Sequence, residues 1–350
     1  MAKTIVGVDI SASGLRAVEL SGTSKDRPVL LRHHSVPLPA GAVARGEVVE
    51  RRTVATAMKQ LWSGGGFTSK DVVLGIGNSR VFARNLSVPK ASLKIIRESL
   101  PFQVQQMIPF PAEDAVLDFY PINEGMGDAG PVVNGLLVAA VRDAVLGNVG
   151  AVQLAGLNTL DVDLIPFALS RVFLRGYRSH GTAAVIDIGA NTTTVVVSTD
   201  GVPQFIRIIP TGGTELTTAL AGRLSIEPAQ AEMLKRTVGF GANAQRPEDR
   251  NVGGAINEIM SEFMASVRTT LTYFAGAQPT ATITRIILTG GGSSLPGLAN
   301  ALSEVTRLPV AIGDPLESVT VRGRGKQSKL GNGVGASLAV AMGLALWDAA

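Results

Sequence analysis

Not one of the 350 residues is cysteine. Disulfides, zinc–thiolate centres and thiol nucleophiles are therefore excluded, which fits a reducing compartment. Charge of one sign is also missing. Lys and Arg total 32 against 28 Asp and Glu, a net +4 with no dense basic patch, so nucleic acid is not an expected partner. Long apolar runs are missing too. The longest, Gly333 to Trp347, falls short of the ~20 residues that span a bilayer and is expected to be a buried helix. The apolar start Ile5 to Ile10 is broken by Asp9, so no secretory signal is read there. These absences predict a soluble, cytoplasmic protein without direct membrane insertion.

What remains is an ordinary globular composition, 45% hydrophobic and 17% charged, long enough for about two domains. Runs of β-branched residues alternate with helical patterns, the mark of an α/β protein. "TIVGVDI", "LRAVEL" and "RPVLLR" lie close enough to form a meander, "VATAMKQLW" reads as a helix ended by glycines, and "VVLGIG" and "RVFARNLSVP" as two more strands. From Ala91 the texture changes. In "ASLKIIRESLPFQVQQMI", Leu93, Ile96, Leu100, Val104, Met107 and Ile108 share a helical face, and Pro101 is expected to split the helix, with Ser99 capping the second piece. "NEGMGDAGP" reads as a flexible tip between two strands. This block, 84–159, is expected to be a separate α/β subdomain.

The opening is then restated. In "VGVDISASGLRAVEL", a strand runs into Asp9, small residues turn, and a second strand leaves. "AAVIDIGANTTTVVVS" does the same around Asp187. Repetition at such long spacing implies two related lobes rather than a solenoid. Each aspartate ends a buried strand, where an unpaired carboxylate is costly. Two such groups across a cleft suit Mg²⁺, which takes one or two protein carboxylates along with waters and phosphate oxygens. Hydroxyls and backbone N–H groups of Ser11, Ser13 and Gly14 can grip one phosphate, and those of Asn191, Thr192 and Thr193 another. Arg16 either adds charge to the phosphates or faces outward.

A third element, "ILTGGGSSLPGL", puts Gly290, Gly291 and Gly292, followed by Ser293, where a strand gives way to a helix, so that a flat base or ribose can lie against the backbone. In "AEMLKR", Glu232 and Lys235 stand three apart on a helix, either reaching ribose hydroxyls or forming a surface ion pair. "TGGTELTTALAGRL" is a Gly turn (Gly212, Gly213) opening a helix. "VRGRGKQSKLGNG" reads as a solvated basic loop.

Two phosphate hairpins followed by "LTGGG" resemble the nucleotide-binding fold shared by actin, sugar kinases and DnaK-type chaperones. The block "LKIIRESLPFQVQQMIPFPAEDAVLDFYPI", with "VPLPAGAVARGEVVE" and "VDLIPFALSRVF", is similar to the PilM family of type IV pilus assembly, whose nearest outside group is FtsA. The resemblance covers nearly the whole chain. It implies an actin-like fold of two RNase H-like lobes with ATP and Mg²⁺ between them, Gly189, Gly212 and Gly213 joining the nucleotide contacts. It divides the chain into a first lobe (1–83, completed by 160–181 and 333–350), an inserted 1C subdomain (84–159) and a second lobe (182–332). It also implies a groove for the N-terminal cytoplasmic peptide of a PilN-like membrane protein, with Arg84, Gln103, Gln106 and Phe110 as its candidate residues and Ile108 assigned to core. Self-association into a ring or filament, and a position at the membrane through the partner, belong to the same expectation.

The chain departs from the family in two places. Most relatives have Gly where this chain has Ser11, and many have an acid just before "PFAL" where this chain has Ile165. An isoleucine cannot polarise water, so hydrolysis is expected to be slow or absent. Two alternatives are weighed. An FtsA-like filament would call for a membrane-binding amphipathic tail, and a small-molecule kinase for an acceptor-binding aspartate between Gly22 and Arg84. Neither feature is seen.

Overall fold

A computed structural model describes residues 4–240, 247–321 and 334–347. Strands β1 (Thr4–Ser11), β2 (Gly14–Ser21) and β3 (Val29–Val36) form the expected antiparallel meander. A two-residue hairpin, β4 (Val43–Ala44) and β5 (Glu47–Val48), leads into helix α1 (Arg51–Gly65), which Gly66 ends in the left-handed conformation that glycine adopts without a steric penalty. Strand β6 (Asp71–Ile76) then pairs parallel with β1.

The inserted unit comes next. Strands β7 (Val81–Pro89), β8 (Ala115–Gly127) and β9 (Gly130–Val141) form a three-stranded antiparallel sheet in the order β7-β9-β8, backed by helix α2 (Leu93–Gln103). Three expectations change here. Ser92, not Ser99, caps α2, its hydroxyl accepting from the Ile95 N–H, while Ser99 donates within the helix to the Ile96 carbonyl. Pro101 does not split the helix, which ends two residues later at Gln103, and beyond it the chain turns instead of forming a second helix. The "flexible tip" is an ordered hairpin, since the β8–β9 ladder continues to Gly127 opposite Gly130.

Helix α3 (Arg142–Leu154) leaves this sheet and packs on α1, and β10 (Asn158–Leu164) pairs parallel with β6. By packing, then, the inserted unit spans β7 to β9, and the stretch 142–159 that the sequence assigned to it lies with the first lobe. Helix α4 (Ile165–Phe173) completes this half.

The second lobe repeats the first. Strands β11 (Thr182–Ile188), β12 (Thr193–Thr199) and β13 (Val202–Ile209) form a meander. Helices α5 (Gly213–Leu224), α6 (Pro228–Val238) and α7 (Pro247–Ala277) come after it. Strand β14 (Ile283–Thr289) pairs parallel with β11, helix α8 (Leu298–Thr306) succeeds it, and β15 (Val310–Ile312) extends the sheet. Strand β16 (Thr320–Val321), within the 182–332 stretch read as the second lobe, returns to pair with β3 in the first sheet. The basic loop expected at 321–333 lies, beyond Val321, outside the described residues. The C-terminal segment is two helices broken at Leu338, α9 (Val334–Ser337) and α10 (Ala339–Ala345).

The sheet orders β10-β6-β1-β2-β3-β16 and β13-β12-β11-β14-β15 show the duplication: each has a meander on one side of the first strand and parallel strands on the other. Both sheets are covered on two faces, which is why their strands are apolar without clean alternation. Val6, Val8 and Ile10 of β1 face α1 and α3, whereas Ile5 belongs to the core shared with α4 and α10. Gly7 permits that second contact, because a Cβ there would lie 2.1 Å from the Ala341 carbonyl oxygen. Helix α4 lies in the same shared core. Ser170 hydrogen-bonds Ser198 of β12 at 3.0 Å, and the Phe167 ring sits 4.7 Å from Tyr120 of β8. The three units therefore meet on α4.

Candidate functional site

The repeat places its two turns at corresponding strand ends, so Asp9 and Asp187 close β1 and β11 near enough for their charges to interact. Burial raises the Asp9 carboxyl, and Arg16 partly offsets that. Asp187 is pushed up to about 7, first by burial and then by the charge of Asp9, with Arg16 opposing. Two carboxylates that destabilise each other's ionised form are a good seat for a divalent cation. Among the described residues no group of three or more acidic or histidine ligands occurs. The donor set is thus two carboxylates, with waters and phosphate oxygens left to complete it, which fits Mg²⁺.

In the first hairpin Arg16 points inward. Its Nη1 donates to Asp9 Oδ2 (3.3 Å) and Ser11 Oγ (2.9 Å), and its Nη2 donates to Ser13 Oγ (2.9 Å). Ser11 Oγ donates on to the Gly14 carbonyl at 3.0 Å. Gly14 takes φ +147°, and a Cβ on it would lie 2.5 Å from the Val36 carbonyl oxygen, so only glycine fits.

The second hairpin is held from behind. Gly189 N–H donates to the Thr192 carbonyl, and the N–H groups of Gly213 and Thr214 donate to the carbonyls of Gly189 and Ala190 at 2.9 and 2.8 Å. The hairpin therefore rests on the start of α5. Asn191 and Thr192 remain partly exposed. Thr193 does not: it is buried, and its hydroxyl donates to the Thr211 carbonyl at 2.8 Å, so it braces the turn instead of offering a proton to a phosphate.

Behind Asp187 comes the glycine run. Gly290 (φ +82°) lies so close that a Cβ would be 2.5 Å from Asp187 Oδ1, and one on Gly292 would be 2.4 Å from Ile188 Cγ2. Gly291 has open space above it. No α-helix begins at the glycines. They form a single 3-10 turn, and α8 starts only at Leu298. Ser293 is buried with its hydroxyl on the Gly290 carbonyl (2.7 Å), a structural role the sequence did not reveal.

Glu232 and Lys235, both on α6, reach the start of α5. Lys235 Nζ donates to the Gly213 carbonyl (2.9 Å) and Thr217 Oγ1 (2.7 Å), and it pairs with Glu232 (2.5 Å). Burial works against the Glu232 carboxylate, but hydrogen bonds from Lys235, Thr217 and Arg236 hold its pKa down to about 2. This half-buried network is more than a surface ion pair and brings a cation to the Gly212–Gly213 turn. Glu232→Gln should flatten stability between pH 2 and 4.5. The wild type loses the carboxylate's contribution as pH falls through that window, and urea titrations across it would show the difference.

A second region lies at the foot of the inserted sheet. A cleft of about 440 Å³ is bounded by Ser79–Phe82, Pro109–Phe110, Asp114 and Val141–Asp143. Phe110 lines it, and Arg84 lies 5.1 Å over the ring of Phe82, another wall residue. Gln103 and Gln106 do not line it. Gln103 donates to Ser99 on its own helix at 2.9 Å, and Gln106 is exposed. Ile108 is core with Val104 and Phe119. The charged groups of the cleft were missed, since they come from three segments that the sequence gives no reason to join.

The comparisons agree with this architecture. The family model described as type IV pilus assembly protein PilM matches residues 7–349. The chain belongs to the PilM family. A solved PilM–PilN type IV pilus biogenesis complex contains a chain 30% identical to this one, superposing with a TM-score of 0.84 over 98% of this chain and 97% of that one. Ethanolamine utilization protein EutJ from Carboxydothermus hydrogenoformans shares the fold at 17% identity, with a TM-score of 0.58 over 99% and 91% of the two chains. The cell division protein FtsA of Bacillus subtilis is 22% identical over 328 residues, 79% of this chain and 72% of its own. The fold of this PilM-family chain is the two-lobed actin-like one.

Proposed function

We propose that this PilM-family protein is a scaffold of type IV pilus assembly that binds ATP with Mg²⁺ between its lobes and holds the N-terminal cytoplasmic peptide of a PilN-like membrane protein. The observation that carries the partner assignment is the cleft at the foot of the inserted sheet, in a chain that matches a PilN-bound relative along its whole length. Two phenylalanines and Pro109 supply an apolar floor. Its arginines are already engaged. Arg80 pairs with Glu47 at 2.9 Å, and Arg142 donates to the Ala115 carbonyl at 2.8 Å. Asp114 and Asp143 have no side-chain partner among the described residues, and Arg142, held by neutral carbonyls, offsets only one of them, so the cleft keeps a net negative charge of one. The chemistry favours an extended peptide presenting an apolar side chain beside a lysine or arginine. Among the described residues no helix is long and apolar enough to cross a membrane; a place at the cytoplasmic membrane through that partner is part of the proposal.

The test is calorimetry with a PilN-like N-terminal peptide. Phe110→Ala should weaken the peptide about tenfold, close to 1.4 kcal/mol, with ATP affinity unchanged. Gln106→Ala should bind like wild type. Unchanged peptide affinity in folded Phe110→Ala moves the groove elsewhere.

The nucleotide reading rests on the two hairpins, the glycine run and the paired aspartates. Turnover is a separate matter. Ile165 begins α4 and packs on bare backbone: a Cβ on Gly77 would lie 2.8 Å from Ile165 Cδ1, and one on Gly75 3.1 Å from Ile165 Cγ1. No acid stands there to orient a water. Steady-state phosphate release should stay below about one per second, under the range typical of enzymes. Faster release by protein freed of contaminating ATPase would mean that another group positions the water.

A further inference from the structure

Arg16 stands directly opposite Asp9 on the β1–β2 ladder. The corresponding position opposite Asp187 on the β11–β12 ladder is Thr194, which is buried. The duplicated site therefore contains two carboxylates and one guanidinium, and the guanidinium belongs to one side only. It is anchored there. Ser11 and Ser13, whose hydroxyl oxygens lie 3.1 Å apart, accept from its two terminal nitrogens, while Nη1 also reaches Asp9.

A divalent cation seated between Asp9 and Asp187 would meet that positive charge within hydrogen-bond distance of one of its own ligand oxygens. Like charges this close weaken the seat, and the cation must share Asp9 or displace Arg16. A polyphosphate removes the conflict. The N–H groups of Arg16 not used by Asp9, Ser11 and Ser13 have no partner among the described residues, and a guanidinium edge with two free donors matches a phosphoryl group.

We infer that Arg16 interlocks the two ligands: the cation seat on Asp9 and Asp187 becomes competent only when a polyphosphate draws the guanidinium off Asp9. The inference rests on the reading of this cleft as the nucleotide site. It predicts that divalent cations enter with the nucleotide and not before it.

Mn²⁺, followed by electron paramagnetic resonance as a stand-in for Mg²⁺, tests it on the full chain with and without a non-hydrolysable ATP analogue. Wild type should bind Mn²⁺ at least about tenfold more tightly with the analogue than alone. Arg16→Gln should bind Mn²⁺ alone about tenfold more tightly than wild type does. The double variant Ser11→Ala, Ser13→Ala keeps the charge but removes its anchors, and it should shift the same way by less. It also serves if Arg16→Gln does not fold. Mn²⁺ uptake without nucleotide that is no tighter than wild type in both variants overturns the interlock and leaves the nucleotide site standing. Mn²⁺ uptake that Asp187→Asn leaves unchanged, with or without the analogue, overturns the nucleotide site and the interlock together.

Discussion

Asp187→Asn is expected to make the metal-free protein more stable at pH 8 while removing its metal-dependent nucleotide binding. The carboxyl is partly buried and close to the charge of Asp9, and its pKa is pushed up to about 7 in the folded protein against 3.8 for an ordinary aspartate. For a group raised in this way, the folded state binds the extra proton. Its contribution to stability is fully present below about pH 4 and is lost as pH rises through 7. The difference of roughly three units corresponds to something on the order of 4 kcal/mol, the cost of holding the ionised group where it is. An asparagine has no such cost, although its amide must find partners in the same place, so a net gain of about 2–3 kcal/mol is expected at pH 8. At pH 4 the two proteins should be alike. Addition of Mg²⁺ and nucleotide should reverse the order, since the cation repays the carboxylate and not the amide, and nucleotide affinity in Mg²⁺ should fall at least about tenfold in the variant. Thermal melts from pH 4 to 8, with and without Mg²⁺ and ATP, contain both halves of the result. Parallel melting curves for the two proteins across that range would show that Asp187 is not the strained carboxylate of the site.

That aspartate was legible in the sequence for a physical reason. A buried strand must alternate between two covered faces, so its residues are apolar almost without interruption. A carboxylate at its end, trailed by small residues, stands out, and a second copy removes the ambiguity of one. The same logic made β1–β3 and β11–β13 legible, along with helix α1 and its terminating glycine. What stayed hidden depended on where side chains turn. Thr193 and Ser293 look like phosphate donors in a string of small polar residues, yet each donates to a nearby backbone carbonyl, a choice made by turn geometry. Gln103 lies on the right block and is drawn back to Ser99. Arg142 and Asp143 begin a helix that belongs to the first lobe, and the cleft they share with Phe82 and Phe110 exists only because β7, β8 and β9 fold back on one another. Pairings across dozens of residues leave no local pattern to read.

The hairpin around Gly189 gives the other large effect. A Cβ on Gly212 would lie 2.5 Å from the Ala190 carbonyl oxygen and 2.6 Å from that of Gly189. Both are backbone atoms, and both carbonyls accept the hydrogen bonds from Gly213 and Thr214 that seat the hairpin on α5. Side-chain rotation cannot relieve such a contact, so the hairpin must lift away from the helix. Gly212→Val is therefore expected to separate the second phosphate grip from Lys235 and to weaken nucleotide binding by about a hundredfold, near 3 kcal/mol. The strands themselves are not touched, so circular dichroism should be unchanged. A control lies ten residues away on α5, the helix that Gly212 precedes. Gly222 is exposed, and a Cβ there would meet nothing within 4 Å. Gly222→Ala should stabilise α5 by about 0.5–1 kcal/mol through helix propensity, with nucleotide affinity kept. The two glycines thus give opposite signs because one of them supports the hairpin and the other faces water. If folded Gly212→Val binds nucleotide as well as Gly222→Ala, the second hairpin is not where the phosphates are held.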